Sequence, residues 1–80
     1  MDQNSQQLLD RIVIKPGMMG GKPVIRGLRF TVSDVLELMA SGLSEKEILA
    51  QHPILEQEDI QAALLYASLQ MKNTLVIHAA

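Results

Sequence analysis

The chain has 80 residues, a net charge of −2 and no cysteine. That length allows one domain, and the missing thiols exclude disulfides and thiolate metal sites. Charge is spread unevenly: residues 1–30 carry +3, residues 31–60 carry −6 and residues 61–80 carry +1, which argues against a general polyanion binder but allows a partner to be steered onto one face.

Residues 1–10 read as a flexible, polar start, and residues 11–80 as a single domain. Met1–Gln7 lacks the apolar core of a signal peptide, and no apolar run reaches the roughly 18 residues of a membrane helix. The expectation is a cytoplasmic protein away from membranes. From Arg11 to Val32 the chain holds five of its seven basic residues, four of its five glycines and no acid. Ile12–Ile14 favours a strand. Lys15 to Pro23 is a loop, with a turn at Pro16–Gly17 and freedom for unusual backbone angles at Gly20–Gly21. Val24–Ile25 and Phe30–Val32 read as short extended pieces broken at Gly27. Together these form a small hairpin or ribbon.

Three helices are predicted next. Thr31 and Asp34 can form a capping box with Asp in place of Glu. Val35, Leu36, Leu38 and Met39 then share an apolar face, and Gly42 fits a left-handed C-terminal cap. The second helix opens with the capping box Ser44–Glu47, stapled by Leu43 and Ile48, and stops at His52–Pro53. The third runs from about Gln57 to Met71. Its start is weaker, because Glu56 is a poor cap, although Glu58 and Asp59 suit the positive end of the helix dipole. Thr74–His78 is a β-branched tail that fits either a short strand or an interface segment.

The third helix shows two apolar stripes. Ile60, Ala63, Leu64, Ala67 and Met71 form one. Ala62, Leu65, Tyr66 and Leu69 form the other, on the opposite side, with Asp59 and Gln70 on one flank between them. Helices apolar on two sides bury both. A second copy of the chain is the expected cover for Ala62, Leu65, Tyr66 and Leu69, since a small aliphatic core gains stability by association. The ribbon or the tail is the other candidate cover.

Chemical motifs are absent. Gly21–Lys22 is followed by Pro23, so the phosphate-binding loop pattern fails, and no dinucleotide fingerprint occurs. His52 and His78 are too far apart in sequence to suggest a metal site. The serines have no matching base, and the carboxylates fall on helix positions read as solvent-facing. No catalytic residue, cofactor, metal or small-molecule substrate is expected. Lys15, Lys22, Arg26 and Arg29 are the candidate contacts to a nucleic acid or an acidic protein partner. The competing role for Arg26 and Arg29 is internal, pairing with helix acids to hold the ribbon down. Glu56, Gln57, Glu58, Asp59 and Gln61 at the start of the third helix would repel phosphates, so a base-reading role for that helix is disfavoured.

Three ordered motifs carry a family resemblance: G-G-K-P-V-I-R-G-x-R-F-x-V (Gly20 to Val32), G-L-S-x-x-E-I-L (Gly42 to Leu49) and H-P-x-L-x-x-E-D-I-x-A-A-L-x-Y-A (His52 to Ala67). From Arg11 to about Ala67 the chain resembles the bacterial family called domain of unknown function 433. It departs from the usual pattern at Leu28, where Thr is common, and at Glu56, where Ser or Thr caps the third helix. The resemblance implies a mainly α, homeodomain-like helix-turn-helix fold of three helices with an N-terminal β ribbon. It also implies an antitoxin of a type II toxin–antitoxin pair that binds a PIN-like ribonuclease toxin, while the homodimer is expected from the second apolar stripe. The alternative is a DNA-binding autoregulator of the helix-turn-helix class.

Overall fold

A computed structural model describes residues 2–73. The Thr74–His78 tail, with His78, lies outside the described residues. The first element is one the sequence reading does not anticipate. Residues 3–9 form a helix, α1 (Gln3–Leu9), where a flexible start was expected. Its start is local: the Asp2 carboxylate accepts the Ser5 N–H at 2.7 Å, as an N-cap does.

Two short strands follow, β1 (Ile12–Val13) and β2 (Val24–Ile25), paired antiparallel with Ile12 opposite Ile25 and Val13 opposite Val24. The intervening loop makes a left-handed turn at Met19–Gly21, with φ of 51°, 68° and 80° in succession. The two glycines take these angles without a Cβ penalty. β2 also bridges Thr31 on its other side, so it is the middle of the ribbon and its residues Val24 and Ile25 are fully buried. The chain reverses between Ile25 and Leu28, whose N–H donates to the Ile25 carbonyl at 2.7 Å. Both central residues have positive φ, Arg26 at 48° and Gly27 at 75°, the geometry of a primed hairpin turn.

The three predicted helices are present as α2 (Val32–Ala40), α3 (Glu45–Gln51) and α4 (Gln57–Asn73). Both capping boxes form. Thr31 and Asp34 exchange two hydrogen bonds of 2.9 Å, and Ser44 and Glu47 exchange bonds of 2.9 and 3.1 Å. α2 ends as its glycine predicts. Gly42 takes φ of 99°, and the N–H groups of Gly42 and Leu43 return to the carbonyls of Met39 and Leu38, the Schellman pattern. α3 stops at His52, whose ring meets Phe30 edge-on at 5.1 Å and ties the ribbon to the helices.

The architecture of the described residues is therefore mainly helical, with four α-helices and a two-stranded hairpin. Ile25, Val32, Val35, Ile48, Leu55, Ile60 and Ala63 form the core. α4 is its backbone and packs against α1, α2, α3 and β1.

Candidate functional site

The two stripes read on α4 are the edges of one buried face. At about 100° per residue, the flank holding Asp59 lies between the Ala62–Tyr66 edge and the Ile60–Ala63 edge. Asp59, Ile60, Ala62 and Ala63 are all fully buried. Asp59 thus stands in the middle of the arc turned inward, and the expectation that the helix carboxylates face solvent fails for it.

Burying an ionised carboxylate is tolerable only with partners that neutralise it and fill its lone pairs. Two arginines of the ribbon do so. Arg26 forks onto Asp59, with Nε 3.0 Å from Oδ1 and Nη2 2.9 Å from Oδ2. Arg11 Nη1 lies 2.9 Å from Oδ1 and also 2.7 Å from Glu56 Oε1. The Glu56 N–H donates to Asp59 Oδ2 at 2.8 Å, so Asp59 caps the helix start that Glu56 was expected to leave weak. The strand register explains the convergence. Arg26 N–H donates to the Arg11 carbonyl at 2.7 Å, continuing the pairing of Ile12 with Ile25, so the two arginines stand opposite one another across the ribbon. Like charges so placed repel, and Asp59 is the anion between them. Arg26 spends its remaining reach on the Ile54 carbonyl, 2.8 Å away.

The electrostatics follow. Burial alone would raise the pKa of Asp59, but Arg26, the Glu56 N–H and Arg11 outweigh it and hold the carboxyl below its ordinary value. The guanidinium of Arg11 is raised by its bonds to Glu56 and Asp59, and that of Arg26 by Asp59.

The candidate contact residues therefore divide. Arg26 is internal, as the competing reading for it held, and Arg11 joins it. Lys15, Lys22 and Arg29 are exposed, and none is in an ion pair among the described residues. The Lys15 ammonium folds toward the ribbon turn, 3.7 Å from where a Cβ on Gly27 would stand. No pairing of Arg29 with a helix acid forms among the described residues.

The four candidate interface residues divide as well. Ala62 is fully buried within the chain. Leu65, Tyr66 and Leu69 are half-buried, and Tyr66 packs against the core. The apolar side chains that α4 exposes are instead Leu64 and Met71, at 40% and 68%, both members of the other stripe.

The Arg11–Arg26–Asp59 cluster was missed because Asp59 looked like one acid among several at a helix start. Arg26 and Asp59 nonetheless both lie inside the motifs that carry the family resemblance. Among the described residues, no group of three or more histidines and carboxylates is placed to hold a metal ion, and no helix is long and apolar enough to cross a membrane.

Comparison with known proteins agrees with the resemblance. Residues 12–67 match the model of a family described as proteins of unknown function, DUF433. An uncharacterized protein, y4eO, of Sinorhizobium fredii is 39% identical over 56 residues, covering 70% of this chain and 25% of its own length. The chain thus spans about a quarter of that curated relative. The crystal structure of a DUF433 member from Anabaena variabilis superposes with a TM-score of 0.74 at 36% identity, over 84% of this chain and 66% of that one. The chain belongs to the DUF433 family.

Proposed function

We propose that this DUF433 chain is a small interaction domain of antitoxin type, which holds a PIN-like ribonuclease through its basic ribbon and does no chemistry of its own. The observation that carries the reading is the division among its cations. Arg11 and Arg26 are consumed by Asp59, whereas Lys15, Lys22 and Arg29 stand exposed without an internal ion pair among the described residues. Free cations clustered on the ribbon suit the carboxylate-lined centre of a metal-dependent nuclease, where opposite charge speeds docking and fixes its register.

Co-expression with the product of the adjacent gene tests this. The two chains are expected to co-purify, and the complex to lose the nuclease activity of the free partner. Lys15→Glu, Lys22→Glu and Arg29→Glu together should release the partner while the circular dichroism of this chain stays unchanged. A chain that ignores every product of its own operon ends the antitoxin reading.

A second reading rests on the pair α3 and α4, joined by residues 52–56. Two helices with so short a connection suit a helix-turn-helix unit of homeodomain-like type, and hence a DNA-binding autoregulator. Glu58, exposed at the start of α4, works against a phosphate backbone, so the contacts would fall to Lys15, Lys22 and Arg29. Titration onto the chain's own promoter at two salt concentrations decides: phosphate contacts show first at low salt, and no binding there disposes of this reading.

A further inference from the structure

We propose that the outward face of α4 binds the same face of a second copy of this chain, with the two helices antiparallel. The inference is independent of whether the ribbon holds a nuclease or DNA. It also moves the self-contact away from Ala62, which the chain buries for itself, and from Tyr66, which is half-buried against its own core.

The outward face is set by spacing. Gln57, Gln61, Leu64, Ser68 and Met71 follow one another at alternating steps of four and three, the spacing of a seam between two helices. All five are exposed. A single exposed leucine on a monomer needs no explanation. Here Leu64 and Met71, at 40% and 68% exposure, lie two turns apart on one seam.

Charge fixes the occupant and its direction. Glu58, Leu65 and Lys72 run beside the seam at steps of seven, so all three share one flank of it. Glu58 and Lys72 are exposed, and neither is in an ion pair among the described residues. An antiparallel copy places Glu58 beside the partner's Lys72 and Lys72 beside the partner's Glu58, with the two Leu65 side chains meeting between them at the two-fold axis. A parallel copy would turn this flank toward the partner's opposite flank and leave Glu58 and Lys72 without their complements. The face is therefore self-complementary in the antiparallel orientation alone, as an isologous contact requires.

Sedimentation equilibrium on the full chain, from low to high micromolar concentration, reads the association. The mass should rise from one chain to two. Glu58→Lys alone and Lys72→Glu alone should each weaken the dimer about tenfold, because each turns two symmetric attractions into repulsions. The double reversal E58K with K72E should restore it. Both sites are exposed, so folding is not at risk. The chain has no cysteine of its own, and an equal mixture of Glu58→Cys and Lys72→Cys chains should therefore form a mixed disulfide on mild oxidation, faster than either chain alone links to itself. A chain that stays single at high micromolar concentration overturns the proposal. So does a dimer indifferent to both single reversals, or one in which Glu58→Cys links preferentially to itself.

Discussion

An Asp59→Asn substitution keeps the size of the side chain and removes the charge that holds Arg11 and Arg26 side by side. Oδ1 and Oδ2 together accept from both guanidinium groups and from the Glu56 N–H. An amide replaces one acceptor by a donor that points at a cation. Breaking such a pair typically costs 3–5 kcal/mol when both partners are buried. The arginine side chains remain about 27% and 33% exposed and can return partly to water, so a loss of about 3 kcal/mol is expected from urea unfolding at neutral pH. The same carboxylate sets an acid limit. Its pKa is lowered in the folded chain, so the unfolded chain takes up the proton first as pH falls. The stabilisation is complete above the ordinary aspartate value of 3.8 and is lost as pH drops through the folded value. The native chain should therefore lose stability below about pH 4, and Asp59→Asn should lose less over the same interval. Lowered carboxyls at Asp2 and Glu47 act in the same direction in both chains, so the difference between the two urea midpoints, followed with pH, isolates Asp59. None of this was legible from the residue itself. An acid near a helix start has a sufficient local reason to be there, and only the strand register that sets Arg11 opposite Arg26 shows the second one.

Capping belongs to the scale of elements, and there the sequence is a good guide because each signal fits within a few neighbouring residues. Thr31 with Asp34 and Ser44 with Glu47 were readable because a hydroxyl and a carboxylate three positions apart satisfy donors that any helix start leaves free. Ser44→Ala should cost about 1 kcal/mol. Thr31→Ala should cost more, about 2 kcal/mol, because Thr31 is only 4% exposed and water cannot replace its hydroxyl as acceptor for the Asp34 N–H. Thermal unfolding of the two variants side by side checks the order, and equal losses would show that burial of the cap is irrelevant. Gly42→Ala should fall near Ser44→Ala, at about 1 kcal/mol, since its φ of 99° is unfavourable to a residue with a Cβ although nothing crowds the position. Helix α1 was not readable by the same logic. Gln3–Leu9 carries no apolar stripe, and its only local signal is Asp2 as a cap. It packs on α4, and its two leucines, Leu8 and Leu9, are half-buried.

At the scale of the whole molecule, α4 links the parts. The periodicity of its apolar residues was legible, but their division into two opposed stripes was not correct, because the residue between them, Asp59, is buried rather than a boundary. An apolar scale counts a neutralised aspartate as polar wherever it sits. Once Asp59 is placed inside, one broad face remains, too wide for α2 and α3 alone, and α1 and β1 take part in covering it. The cover supplied by α1 is testable by deletion. A chain beginning at Arg11 keeps the ribbon, both capping boxes and the Asp59 cluster, and loses only α1 and its contact with α4. Leu8 and Leu9, half-buried, account for about 2 kcal/mol of apolar burial between them, and the α4 surface that α1 covers becomes exposed. The urea midpoint of the shortened chain should fall accordingly. The slope of its transition should also fall, because less surface is exposed on unfolding. Those two readouts separate the possibilities. A lower midpoint with an unchanged slope would mean that α1 stabilises the chain without burying surface, and an unchanged midpoint would mean that α4 does not depend on it.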